Sequence, residues 1–234
     1  WLESSSERFS REGSKFLDEF SKKDATPSDY VERGLEFESR GAFELAAAAF
    51  GDADKMEEAS RCKARMHLER GELGEASWEF EEAARYASDS GSPDIETIRG
   101  YRQDAMRAVD DAIEVSEGTP DVELFQSKSR LAEQLGNQKA AAEATALYHE
   151  RMADHPNEEI RKTHLRKAAE AYYNLDDRGK AIELLKEVPD NRRIAEISLE
   201  AGNATEFFLA IENALEKMED HHEALSAIFE RGNH

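Results

Sequence analysis

Apolar side chains along this 234-residue chain recur three and four positions apart almost from end to end, and no useful stretch alternates every second residue. That period belongs to helices with one buried face rather than to half-buried strands. It predicts an opening helix over Glu3–Lys22 that buries Phe9, Phe16, Leu17 and Phe20. Thr26 then reads as an N-cap and Pro27 as a first-turn proline. Beyond them the pattern predicts hairpins: Ser28–Arg40 with Ala42–Phe50, and Met56–Arg70 with Leu73–Ala87. The polar stretch Ser88–Pro93 reads as a linker. A long helix, Asp94–Ser116, is broken by Glu117–Pro120. Hairpins resume as Asp121–Leu135 with Gln138–Asp154, Glu158–Leu175 with Gly179–Glu187, and Arg192–Ala201 with Thr205–Met218. A short helix, His222–Arg231, comes last.

Short turns between antiparallel helices predict an all-α solenoid in which each hairpin packs on its neighbours. Three segments follow: a packing helix over 1–24, two regular hairpins over 25–90, and the long helix with less regular hairpins over 91–234. Gly41-Ala42-Phe43-x-x-Ala46-x-x-x-Phe50-x-x-Ala53 aligns with Gly71-Glu72-Leu73-x-x-Ala76-x-x-x-Phe80-x-x-Ala83. Glycine permits the tight turn, alanine lets the two helices lie close, and phenylalanine fills the space toward the next hairpin.

The residues Tyr30, Gly34, Phe37, Gly41, Phe43, Ala46, Phe50 and Ala53 resemble the tetratricopeptide repeat. Ala64, Gly71, Leu73, Ala76, Phe80 and Ala83 continue it, with His67 where an aromatic is usual. Ala169, Tyr172, Ala181, Leu185 and Val188 fit a later unit. Ala195, Gly202, Ile211 and Ala214 fit another, with Phe207 where alanine is expected. The first two glycines lie 30 residues apart, shorter than the family's usual repeat of about 34. The register over 93–155 stays open. The resemblance implies a right-handed superhelix of antiparallel hairpins, a tetratricopeptide-like α-solenoid. Phe50-Gly51-Asp52-Ala53-Asp54 is also similar to hairpin repeats of vesicle-coat and transport-complex subunits and of helicase-associated arrays. That would suit a piece of a longer polypeptide, as would a start at Trp1.

The resemblance implies a concave groove lined by the first helix of each hairpin. Carried over, its positions are Val31 and Leu35, then Arg61 and Arg65, then Arg166, Glu170, Tyr173 and Asn174, then Arg192 and Glu196. A row formed by Arg61, Arg166 and Arg192 would hold an acidic peptide through bidentate pairs. The alternative is that each arginine pairs with a glutamate one turn away. Val31 and Leu35 replace the Lys and Asn of the chaperone-binding members, so a carboxylate clamp is not expected.

Charge narrows the partners further. The 52 acidic against 31 basic residues give a formal net charge of −21, which disfavours nucleic acid and anionic membrane surfaces. Cys62, the single cysteine, can form no internal disulfide, consistent with the cytoplasm or nucleus. The longest apolar run, around Ala42–Phe50, is too short to span a bilayer. No phosphate-binding glycine motif, nucleophile elbow or zinc spacing occurs, and the pairs His221-His222 and His149/His155 lack companions. We therefore expect no enzyme, no cofactor and no metal. The expectation is an interaction scaffold, or alternatively a structural segment docking within its own assembly.

Overall fold

The computed structural model describes residues 26–116 and 121–216. The expected helices Glu3–Lys22 and His222–Arg231 lie outside the described residues. Among those described the chain is all helical: α1 (Pro27–Ser39), α2 (Phe43–Asp52), α3 (Met56–Arg70), α4 (Leu73–Asp89), α5 (Ile95–Val115), α6 (Val122–Gln134), α7 (Gln138–Met152), α8 (Glu158–Asn174), α9 (Arg178–Glu187) and α10 (Asn191–Glu200). Residues 204–216 are helical as well. None of these helices is long and apolar enough to cross a membrane. The chain divides into two compact units, Trp1–Pro120 and Asp121–His234. Within each unit, consecutive helices pack on one another.

In the first unit α1 opens with a reciprocal capping box. Thr26 Oγ1 accepts from the Asp29 amide at 3.4 Å, while the Thr26 amide donates to Asp29 Oδ2 at 2.8 Å, with Pro27 in the first turn. α1 and α2 then close around Phe37, Ala46, Ala49 and Phe50, and the cluster continues to Ala59 and Cys62 on α3. A Cβ placed on Gly34 would lie 2.7 Å from the Phe50 ring, so glycine is what lets that ring seat against α1. Ser88–Pro93 does not separate compact segments: it turns the chain between α4 and α5, which pack along each other. The long α5 packs back along α4 and reaches α3 through Tyr101, with Ile98, Tyr101, Ala105, Ala108 and Val109 buried.

The second unit builds its core from branched aliphatics. Leu165, Ala168 and Ala169 of α8 meet Ile182, Leu184 and Leu185 of α9, with Ile194 and Ile197 of α10 beyond.

One turn recurs in both units. A left-handed residue ends the helix at Gly41, Asp54, Gly71, Gly136, Asp176 and Gly202 (φ 58–75°). The next amide reaches back to a carbonyl five residues earlier, as from Ala42 to Phe37 at 2.9 Å and from Asp177 to Tyr172 at 2.9 Å. This is the Schellman closure, which satisfies carbonyls the helix end leaves open. Four of the six positions are glycine, because only glycine enters the left-handed region without a Cβ penalty. Asp52-Ala53-Asp54 is such a closure.

Candidate functional site

The carried-over groove residues fall in both units, and only some of them come together: Arg61 and Arg65 share one cavity in the first and Arg166, Glu170, Arg192 and Glu196 another in the second, while Val31 and Leu35 do not line the first and Tyr173 and Asn174 do not line the second. In the first, Glu38 at the end of α1 accepts from two arginines of α3, Arg61 Nη2 at 2.8 Å and Arg65 Nη1 at 3.1 Å. Glu38 is largely buried by this arrangement. Burial works to lower the Arg61 pKa, but the Glu38 carboxylate and the Tyr101 hydroxyl outweigh it and hold the guanidinium charged. Arg65 also stands over the Phe43 ring, 5.7 Å from its centroid. Tyr101 of α5 donates to Glu57 Oε1 of α3 at 3.0 Å. Burial, followed by that hydrogen bond, pushes its pKa up to about 12, so the hydroxyl stays protonated.

A cavity of about 450 Å³ opens between α3 and α5 over Phe80 of α4. Arg61, Arg65 and Leu68 line one wall; Tyr101, Arg107 and Ala108 line the other. Asp104 and Asp111 add negative charge, and Arg107 donates to Asp104 Oδ1 at 3.0 Å. The lining runs from Thr97 to Asp111 of α5, about 21 Å at the helical rise.

In the second unit a cavity of about 390 Å³ lies between α8 and α10. Arg166, Glu170, Asp190, Arg192, Arg193 and Glu196 line it, with Leu185 beneath. Arg166 Nε sits 3.5 Å from Asp190 Oδ2. Arg192 is almost fully exposed and pairs with Glu196 at 3.2 Å on its own helix. Tyr173 donates to Glu200 at 2.5 Å, and its neighbour Tyr172 donates to Glu150 of α7 at 2.8 Å, so the adjacent tyrosines serve different helices. Asn174 closes α8 and is exposed.

Arg193, which sequence reasoning passed over, is the more engaged of the two adjacent arginines. Its Nη2 donates to both Glu170 oxygens at 3.1 Å, and the guanidinium lies 4.7 Å from the Tyr173 ring centroid. The signal that could have found it is a register. Glu38 to Arg61 and Glu170 to Arg193 are both separated by 23 residues. Glu38 to Arg65 and Tyr173 to Glu200 are both separated by 27. Each pair skips a helix and joins the first helices of consecutive hairpins. Tyr101 and Arg107 were missed as well, since the long helix had been given no groove position.

Val31 is half-buried and Leu35 is exposed, so α1 presents apolar surface there. Cys62 is fully buried, and burial pushes its thiol up to about 11, which leaves it an unreactive packing residue. His155 Nδ1 accepts from the Asn157 amide at 3.0 Å, while His149 meets His164, a partner the sequence had not suggested. His221 and His222 lie outside the described residues. No protein-family model matches the chain, and none of the curated proteins compared with it matches.

Proposed function

We propose that this protein is a non-catalytic interaction scaffold whose hairpins coil in the right-handed, tetratricopeptide-like sense. It would capture a peptide or helix between the first helices of successive hairpins. The observation that carries this reading is the repeated register. In each unit, side chains 23 and 27 residues apart tie one first helix to the next, and an open cavity lies beside them. Binding on such a preformed wall costs little ordering of the scaffold. The arginines give the ligand a chemistry. Arg65 and Arg193 set planar guanidiniums against the Phe43 and Tyr173 rings, which suits acidic side chains interleaved with apolar ones. The body's net charge of −21 opposes a strongly acidic ligand at long range, so selectivity would come from short-range pairing rather than steering.

The test is a peptide array that varies acidic and apolar content, followed by anisotropy titration of the binders. Arg65→Glu and Arg193→Glu should each weaken binding by at least about tenfold, the scale of a lost charge-assisted pair. Binding unaffected by both substitutions would remove the groove from consideration.

A second reading, docking within a larger assembly, is favoured by Phe208, Leu209, Ile211 and Leu215. These exposed apolar side chains lie on one helix, most of them at helical spacing. Replacing Phe208 and Leu215 with Glu should abolish that docking and leave peptide capture intact.

A further inference from the structure

The clearest unassigned chemistry in the molecule is where α7 meets α8. His149 Nδ1 and His164 Nδ1 stand 2.9 Å apart, with ring centroids separated by 5.1 Å. Tyr148 packs edge-on against both rings, at 4.9 and 6.2 Å between centroids. At that distance the two nitrogens share one proton in a hydrogen bond, one Nδ1 donating and the other accepting. The bond joins two helices, so the number of protons on the two rings decides whether it forms. Both rings are half-buried and within reach of protons from solvent.

We propose that this pair is an acid-released latch between α7 and α8, whose hydrogen bond survives the first proton the two rings take up and is lost with the second. The order follows from which nitrogens are open. In the neutral pair the donor ring carries its proton on Nδ1 and leaves Nε2 free, while the acceptor ring carries its own on Nε2. A first proton enters the donor's free Nε2. That ring, now a cation, still donates from Nδ1, in a charge-assisted bond. A second proton has only the acceptor's Nδ1 to enter. Two N–H groups, each on a cation, then face one another across 2.9 Å, and the rings must part.

The surroundings assign the two roles. Burial, followed by the charges of His164 and Lys167, lowers the His149 pKa to about 4. His164 is lowered too, by burial and then by Lys167 and His155. His164 is therefore the donor that charges first, and His149 the acceptor whose protonation opens the latch. Among the described residues the charges acting on the rings are these alone, with no carboxylate among them and none from α6 or α9. Glu150, beside His149 in sequence, is engaged by Tyr172 at 2.8 Å and Lys180 at 3.0 Å. No anion is thus at hand to hold two imidazoliums together. Both folded pKa values lie below the unfolded value of about 6.5, so the latch stabilises above that pH and weakens as pH falls. α8 also carries Arg166 and Glu170 of the second cavity, so release would loosen that wall. This consequence rests on the groove reading, whereas the latch itself does not.

The experiment follows the whole chain, with ring-15N histidine, by long-range 1H–15N NMR from pH 7.5 to 4, alongside amide hydrogen exchange. His149 should be the Nε2–H tautomer with Nδ1 accepting, and His164 should take up its proton first and keep Nδ1–H. Protection of α7 and α8 should fall at least about tenfold as His149 charges, the factor that one pKa unit represents. α3 and α4, exchanging in the same sample, should keep theirs. His149→Asn sets an amide oxygen, an acceptor that takes up no proton, near the place of Nδ1. That variant should hold the protection of α7 and α8 level across the range. Lys167→Gln should raise the pH of release. Far-UV circular dichroism checks that the variants fold, and the nitrogen titration of the unaltered chain decides the matter if they do not. Two rings that titrate independently, or a loss of protection that persists in His149→Asn, overturns the proposal. None of these readouts needs a ligand, so they stand apart from the peptide titrations.

Discussion

The two units close the same turn with different chemistry. In each, the residue after the left-handed position serves both helices, as the last closure of one and the N-cap of the next. Its backbone barely changes: φ −84°, ψ 61° at Ala42; −86°, 71° at Glu72; −88°, 78° at Asn137; −90°, 70° at Asp177. In the second unit the side chain caps as well. Asn137 accepts from the Ala140 amide at 3.2 Å, Asp177 from Lys180 at 3.1 Å and Asn203 from Glu206 at 3.2 Å. In the first unit Ala42, Lys55 and Glu72 form no such bond. There, burial of Phe37, Phe50 and Phe80 among alanines holds the hairpins instead. A hairpin array can thus be secured by aromatic packing between helices or by polar caps at their ends, with the same backbone turn serving both.

The contrast can be broken most sharply in the aromatic core. Phe50→Ala should cost the first unit about 3–5 kcal/mol, the usual loss for emptying a buried aromatic site. Hydrogen exchange should then rise across α1–α3 while α8–α10 keep their protection. Gly34→Ala should cost about 1–3 kcal/mol, because its Cβ would meet the Phe50 ring at 2.7 Å. In a Phe50→Leu background the same change should become neutral or favourable, since alanine outranks glycine in a helix. A double-mutant cycle in urea measures that reversal.

The second unit should carry a pH sensitivity that the aromatic core lacks. Burial, then the charges of His164 and Lys167, lower the His149 pKa to about 4 from 6.5. Its folded value lies below its unfolded one, so stability is complete above about pH 6.5 and falls as pH drops toward 4. With screening at this half-buried site, the loss should be on the order of 1–2 kcal/mol. Urea midpoints between pH 7 and 5 check it, and His149→Gln should flatten the slope. The smallest effects concern caps. Asp177→Ala should cost about 1 kcal/mol and Lys55→Asp should gain a similar amount, both read from thermal midpoints.

The helices were legible because their cause is local. Apolar spacing, Thr26-Pro27 and the glycines at 41, 71, 136 and 202 each act within a few residues. The sequence-based bounds accordingly fall within a residue or two of those observed. Gln138, Glu158, Met56 and Leu73 begin their helices where expected. The long helix was legible as a helix, but its place was not. Only packing on α4 and the Tyr101–Glu57 bond put α5 beside α3. Asp54 and Asp176 in left-handed turns were similarly hidden, since aspartate enters that region at a cost only the surrounding closure repays.

By itself the sequence determined that this is a charge-rich chain of helical hairpins, and it nominated Arg61, Arg65, Arg166 and Arg192 as groove residues. It chose Arg192 and passed over Arg193, the one that reaches Glu170 of the preceding first helix. Neighbours in a helix point about 100° apart, and which one faces the next hairpin depends on how that helix is rotated in its packing. The same holds for His149. Its companion His164 lies on another helix, so their meeting is a product of helix–helix rotation and stagger rather than of any local spacing.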